Sequence, residues 1–231
     1  MPTLSVNSFS KEGYVSRSLY DQVMKELNNS QVRIKTLEEE NQRLRDKILK
    51  LGAAELDRFW KETPFWELYE RFVGHFLEEK GYQVSYFGIK NKGKGDDGID
   101  LLCKKNEDVL LVQCKSQVAK TSKAAIMAFN GALSFYRTKN LKEGENLRGE
   151  VYSKTEFSKD AKECANALGI KIHVRIMPFD FEVVKCKKAL QGYYLPTDDD
   201  YDEVGFSLSE GDYYMKTVEE AEKAGFHRKI L

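Results

Sequence analysis

The sequence predicts a mixed α/β fold, a sheet flanked by helices, with a long N-terminal helix ahead of it and a small β-plus-helix tail behind. Three observations predict it. Heptads run up to Leu51, short apolar runs of strand length alternate with amphipathic helical stretches through the middle, and beyond Gln191 aromatic pairs and an acidic loop replace that alternation. The expected division is 1–54 for the N-terminal helix, 55–188 for the central α/β domain and 189–231 for an accessory module. A chain of 231 residues is long enough to bury a real core.

The first element is the long helix, following a polar lead-in over residues 1 to 18. Leu27, Ile34, Asn41 and Ile48 fall at heptad position a, and Ser30, Leu37, Leu44 and Leu51 at d. Isoleucine at a with leucine at d favours two parallel strands, and a single buried asparagine at a fixes their register. Arg33 and Glu40 at g face Glu38 and Arg45 at e of a partner helix with opposite sign. A parallel homodimer through residues 19–51 is therefore expected; the other reading is one amphipathic helix folded onto its own domain. Gly52 is expected to weaken the helix, leaving Leu56 to Lys61 as a short connecting one.

Thr63-Pro64 reads as the start of the next helix, and Gly81 as its end. Phe65, Leu68, Tyr69, Phe72, Val73, Phe76 and Leu77 form its apolar face. Glu70 falls on the edge of this stripe, beside Trp66 and Val73, where it can reach a site formed at the sheet, whereas Glu67 is expected to point outward. Tyr82 to Phe87 is the first strand candidate, and a glycine-rich loop with Lys90, Lys92 and Lys94 follows as a candidate contact for nucleic-acid phosphates.

Gly98 to Lys104 and Val109 to Lys115 then read as two antiparallel strands joined by a tight turn at Asn106, Glu107 and Asp108. Such a turn sets Asp100, inside the first strand, opposite or nearly opposite Gln113, while alternation puts Gln113 and Lys115 on one face. A carboxylate and an amide oxygen are the ligands that a hard cation such as Mg²⁺ takes, and a neighbouring lysine can orient water and offset charge on a phosphate. Asp96 and Asp97 offer the same chemistry but precede Gly98 and are expected in the turn.

The remaining elements follow in order. Ala119 to Tyr136 reads as a helix, Glu150 to Ser153 as a strand, Ser158 as the cap of a helix ending before Gly169, and Lys171 to Ile176 as a further strand. In the tail, Asp198 to Glu203 is expected to be a solvated turn, since it lacks the glycine and terminal glutamate of a calcium loop, and a capping box opens a helix at Thr217. His75, His173 and His227 have no ligand spacing.

Composition narrows the function. Lysine plus arginine and aspartate plus glutamate each number 37, so no global attraction to nucleic acid follows and any phosphate-binding surface must be local. Cys103, Cys114, Cys164 and Cys186 show no CxxC or Cys/His spacing, so reduced thiols and no structural zinc are expected. The N-terminus lacks the apolar run of a signal peptide and nothing approaches a membrane span, which leads to an expected cytoplasmic location.

Tyr69-Glu70 followed by an apolar helix into Gly81-Tyr82, then G-D-D-G-I-D-L from Gly95 to Leu101, V-Q-C-K from Val112 to Lys115, and F-S-x-x-A from Phe157 to Ala161 occur in that order. In these residues the chain resembles the Mrr-type restriction endonucleases of the PD-(D/E)XK nuclease superfamily. The resemblance implies a restriction-endonuclease-like fold and a metal-dependent endonuclease that hydrolyses DNA, in restriction or defence against foreign DNA. It makes Asp100 the metal-binding aspartate, Gln113 the residue in place of the second acid, Lys115 the catalytic lysine and Glu70 the helix-borne acid that assists at the metal. Mg²⁺ is the implied cofactor, with Mn²⁺ as a substitute. Gln113 departs from the commoner glutamate and leaves fewer charges on the ion. Two alternatives stay open: a nuclease or ribonuclease of the same fold gated by an activator or partner at the C-terminal module, and a coiled-coil scaffold that binds DNA without cutting it.

Overall fold

The computed structural model describes residues 17–90 and 98–229, so the expected phosphate contacts Lys92 and Lys94, and Asp96 and Asp97, lie outside the described residues. The chain divides into two units, residues 1–48 and 49–231. In the first, the part of helix α1 (Arg17–Glu62) up to Ile48 leaves its apolar seam open to solvent, with Leu27 48%, Ile34 56%, Leu37 51% and Leu44 51% exposed.

Gly52 does not interrupt α1, and the separate helix expected over Leu56 to Lys61 is its last turns. The reason is packing: a Cβ at Gly52 would stand 3.5 Å from both the Tyr193 hydroxyl and a Val218 methyl, so the bare backbone lets the helix lie close against the C-terminal elements. Leu56 and Phe59, on the following turns, are buried in that contact, which offsets the roughly 1 kcal/mol that glycine costs inside a helix.

The main sheet has five strands in the order β1-β2-β3-β4-β5. They are β1 (Gln83–Tyr86), β2 (Leu101–Lys105), β3 (Asp108–Lys115), β4 (Asn146–Ser153) and β5 (Lys171–Val174). The first three are antiparallel and the last three parallel. Asn106 and Glu107 form the hairpin turn, with Asn106 in the left-handed region at φ 52°, a conformation asparagine tolerates better than most residues. β4 begins earlier than the apolar run alone suggests. Gly149 interrupts that run yet belongs to the strand, because a Cβ there would strike Leu133 Cδ1 at 2.4 Å.

Helix α2 (Phe65–Glu79) covers one face of this sheet, where Tyr69, Val73 and Leu77 meet Leu101, Cys103, Leu110 and Val112. Helices α4 (Lys123–Lys139) and α5 (Lys159–Leu168) cover the other, where Ile126, Phe129 and Ala161 meet Val109, Leu111 and Val151. α4 starts later than expected because Ser122 caps it and Thr121 bridges to Phe157. α5 has the expected Ser158 cap and ends at Gly169, whose φ is 67°. α3 (Phe87–Lys90) is a single turn between β1 and β2. Among the described residues no helix is long and apolar enough to cross a membrane.

A second sheet, in the order β8-β6-β7-β9, is built from β6 (Val184–Lys187), β7 (Gly192–Tyr194), β8 (Tyr213–Met215) and β9 (His227–Arg228). Helix α6 (Val218–Lys223) opens on the expected capping box of Thr217 and Glu220. The acidic loop that precedes β8 is not a solvated turn. Asp198 pairs with Arg228, Asp202 pairs with Arg71, and Tyr201 between them is buried. Glu67 likewise does not point outward; it is buried, 3.7 Å from Arg71. Both differences arise because counter-charges and cover come from segments far away in sequence.

Lys185 is the centre of this contact. Its ammonium has no solvent exposure, donates to the carbonyls of Tyr201 at 2.9 Å and Val204 at 3.0 Å, and lies 3.6 Å from Glu78 on α2. Burial pulls both partners toward neutrality, lowering the pKa of Lys185 and raising that of Glu78, while each opposes the shift in the other. Removing one member of a buried pair strands its partner's charge, so Lys185→Ala is expected to cost about 3–5 kcal/mol in urea unfolding. Lys185→Met combined with Glu78→Gln should cost less than the single change, and a loss under about 1 kcal/mol for Lys185→Ala would show that water already solvates the pair.

Candidate active site

At one end of the main sheet, three polar side chains are held nearly out of solvent: Glu70 and Gln113 are 6% exposed and Asp100 5%. Asp100 is not inside β2, as the sequence suggested, but in a bend immediately before it. The paired register of β2 and β3 stops at Leu101 and Val112. The Asp100 carbonyl turns instead to α3, accepting from the amides of Phe87 at 2.8 Å and Gly88 at 3.1 Å, while its own amide donates to the Val112 carbonyl at 2.9 Å. Its carboxylate Oδ2 accepts from the Cys114 amide at 2.5 Å. That contact pins the acid to the backbone between Gln113 and Lys115, so the strand end keeps the juxtaposition that a regular hairpin would have given.

Gln113 and Lys115 lie on the same face of β3 as Val109 and Leu111, which pack toward α4. The Gln113 Oε1 atom is buried and has no hydrogen-bond partner among the described residues. Gly98, at φ 78°, approaches from the preceding turn; a Cβ there would lie 3.8 Å from Gln113 Nε2. Lys115 closes β3, and its carbonyl accepts from the Lys154 amide at 2.9 Å.

Glu70 reaches the same end from α2. A Cβ on Gly88 would stand 2.5 Å from Glu70 Oε2 and 2.9 Å from its carboxyl carbon, so the carboxylate rests directly on the bare Cα of Gly88. Gly88 thus touches both acids, through its amide to the Asp100 carbonyl and through its missing side chain to Glu70. Its role depends on contacts with Asp100 and Glu70 that its own neighbours in the chain do not announce. A glycine directly after the first strand, in Y-F-G-I-K, was the available signal.

Electrostatics report the same convergence. Burial pushes the Cys114 thiol well above its usual pKa, the charges of Asp100 and Glu70 push it further, and the Lys115 ammonium opposes them. Two carboxylates and one ammonium therefore act on a single sulfur. Asp100 is tied to β3 between Gln113 and Lys115, and Glu70 is linked to Asp100 through Gly88; Lys90 is placed only as the last residue of α3.

Among the described residues no group of three or more His, Cys, Asp or Glu is disposed as a metal site. A carboxylate beside a buried carboxamide oxygen that lacks a partner nevertheless fits a Mg²⁺-like ion, whose shell is completed by water and phosphate oxygens.

Residues 65–177 match the family model described as restriction endonuclease, the Mrr catalytic domain. No curated protein matches the sequence. Among solved structures, the chain is similar to EndoMS in its apo form, at 13% identity and a TM-score of 0.38 over 51% of this chain and 48% of that one. It is also similar to a repair endonuclease from Pyrococcus abyssi, at 15% identity and a TM-score of 0.29 over 35% and 33%. With the MspJI restriction endonuclease in complex with an oligonucleotide, the identity is 17% and the TM-score 0.32 over 52% and 28%. In each case the aligned part is less than two thirds of the solved chain. The segment that matches the restriction endonuclease family model, residues 65–177, carries Glu70, Asp100, Gln113 and Lys115.

Proposed function

We propose that this chain is a metal-dependent endonuclease that hydrolyses DNA phosphodiester bonds, acting in restriction or defence against foreign DNA. The observation that carries the reading is the partnerless, buried Gln113 oxygen beside an Asp100 carboxylate fixed by the Cys114 amide, within a segment of nuclease family. Nucleases of this type generally use divalent metals. Here Asp100 and Gln113 would hold the ion, Mg²⁺ or Mn²⁺, with Glu70 reaching it through water. Such an ion supplies Lewis-acid stabilisation of phosphate charge and lowers the pKa of water.

The chain's own residues do the rest. Glu70 accepts a hydrogen bond from the attacking water and orients it; Lys115 Nζ donates to a phosphate oxygen and offsets the negative charge that grows as the new P–O bond forms and the old one breaks. Four unpaired cysteines suit a reducing, cytoplasmic location, which is part of the proposal.

Plasmid DNA with Mg²⁺ or Mn²⁺ should be cut and a chelator should stop it. Asp100→Ala and Lys115→Ala should each slow cleavage by roughly a hundredfold or more, with thermal stability near wild type. Undiminished cleavage by both variants would reject the site. Gly88→Ala is a sharper geometric test. Its methyl collides with the Glu70 carboxylate, so the protein should fold yet lose most of its cleavage rate; a wild-type rate would show that Glu70 need not occupy this position.

The seam of α1 supports a parallel homodimer through residues 19–51, which would supply two such sites to the two strands of a duplex. Sedimentation should give twice the chain mass, and Leu37→Lys with Leu44→Lys should halve it. A wild-type monomer at micromolar concentration sinks this part.

A second reading has its own support. The helix that carries Glu70 also binds the C-terminal elements, through Arg71 to Asp202, His75 Nε2 to the Tyr201 hydroxyl at 3.0 Å, and Glu78 to Lys185. A partner or ligand acting on the C-terminal module would then gate the nuclease, on DNA or RNA. Negligible basal cleavage of both nucleic acids by a protein that binds them would favour it over the first reading.

A further inference from the structure

We infer that the connection from β3 to α4, residues 116–120, enters the major groove of duplex DNA and reads base pairs beside the bond to be cut; this rests on the nuclease reading above. The connection leaves β3 at Lys115 and returns at Thr121, and both ends are held. The Lys115 carbonyl accepts from the Lys154 amide at 2.9 Å, the Ala119 carbonyl accepts from the Thr155 hydroxyl at 2.9 Å, and the Thr121 amide donates to the Glu156 carbonyl at 3.0 Å. Thr121 and Ser153, both fully buried, share a further hydrogen bond between their hydroxyls at 2.9 Å. Ser153 is the β4 residue in register with Lys115, so the loop returns beside the strand end that carries the candidate catalytic lysine. Between these ends the chain bends at Val118 and Ala119, and Gln117, Val118, Ala119 and Lys120 are all exposed, Val118 at 86%. Among the described residues the Gln117 amide makes no hydrogen bond and Lys120 no ion pair. The fold gains nothing from these side chains, yet their backbone is pinned, which is the arrangement of a preorganised contact.

Charge selects the partner. From Lys115 to Lys142 every charged residue is basic, six in all, in a chain whose charges balance to zero. A neutral protein needs a local basic surface to hold a polyanion, and the loop opens this stretch. The exposed side chains then match the major groove in kind. A carboxamide pairs with N6 and N7 of adenine, an aliphatic side chain packs on the thymine methyl, which only the major groove presents, and an ammonium takes a phosphate. A preference for A·T pairs next to the scissile phosphate follows, with Gln117 and Val118 supplying it and Lys120 adding affinity without regard to sequence.

The test selects duplexes from a randomised pool with the full-length Asp100→Ala protein, so that binding is read apart from cleavage. A·T pairs should be enriched about tenfold at one or two positions. Gln117→Ala with Val118→Ser should flatten that enrichment without lowering thermal stability. Lys120→Ala should keep the enrichment, weaken binding to every sequence, and make the slope of log K against log salt shallower by about 1. Enrichment that is absent or survives the double change, or a slope that Lys120→Ala leaves unaltered, overturns the groove contact. Cleavage assays separate the two proposals. If wild type cuts, Asp100→Ala does not, and the double variant keeps the wild-type preference, the site stands and the loop reading falls. If Asp100→Ala cuts as wild type does while the enrichment still depends on Gln117 and Val118, the site falls and the groove contact stands.

Discussion

The ladder between β2 and β3 ends at Leu101 and Val112, and the hydrogen bonds that Asp100 makes in place of further pairing hold the rest of the site. Its carbonyl binds the first turn of α3, its amide stays on Val112, and its carboxylate takes the Cys114 amide. Each bond satisfies a backbone group that a sheet would otherwise have paired, so the strand can end inside the protein without stranding a donor or acceptor. The same bonds bring Gly88 beneath Glu70. One local departure from regular β structure therefore sets the mutual positions of two acids that are far apart in the sequence.

Keeping these groups buried has a cost. Carboxylates and carboxamides taken out of water must be compensated by hydrogen bonds or charge. Asp100 has the Cys114 amide, whereas the Gln113 oxygen has nothing among the described residues. A buried acceptor left open is destabilising in isolation and makes sense where a cation or ordered water fills it. The wide surroundings are apolar, with Val112, Leu101 and Tyr69 beneath the site, so any charge placed there acts through a low dielectric and at greater strength than in water.

Helix α2 connects this site to the rest of the 49–231 unit. Tyr69, Val73 and Leu77 anchor it on the main sheet, while Arg71, His75 and Glu78 enter the polar contact with Asp202, Tyr201 and Lys185. One fifteen-residue helix therefore carries both Glu70 and the groups of that polar contact. Within it, the buried Lys185 ammonium lies 4.6 Å from the centroid of the Tyr201 ring and 5.9 Å from that of Tyr214.

The sequence by itself determined whatever depends on neighbours along the chain. The hairpin of β2 and β3, the face shared by Gln113 and Lys115, the place of Glu70 on its helix, the Ser158 cap, Gly169 and the Thr217 capping box all follow from periods and turns spanning a few residues. Tertiary structure alone decided what Gly52, Gly88 and Gly149 are for, because the atoms that exclude a Cβ there come from Tyr193, Glu70 and Leu133. It also decided that Glu67 and the loop from Asp198 to Glu203 are tied down, because Arg71 and Arg228 reach them from other elements. Local hydrogen bonding and side-chain alternation act over short sequence distances, whereas close packing and charge pairing act through space between segments whose meeting no stretch of sequence announces.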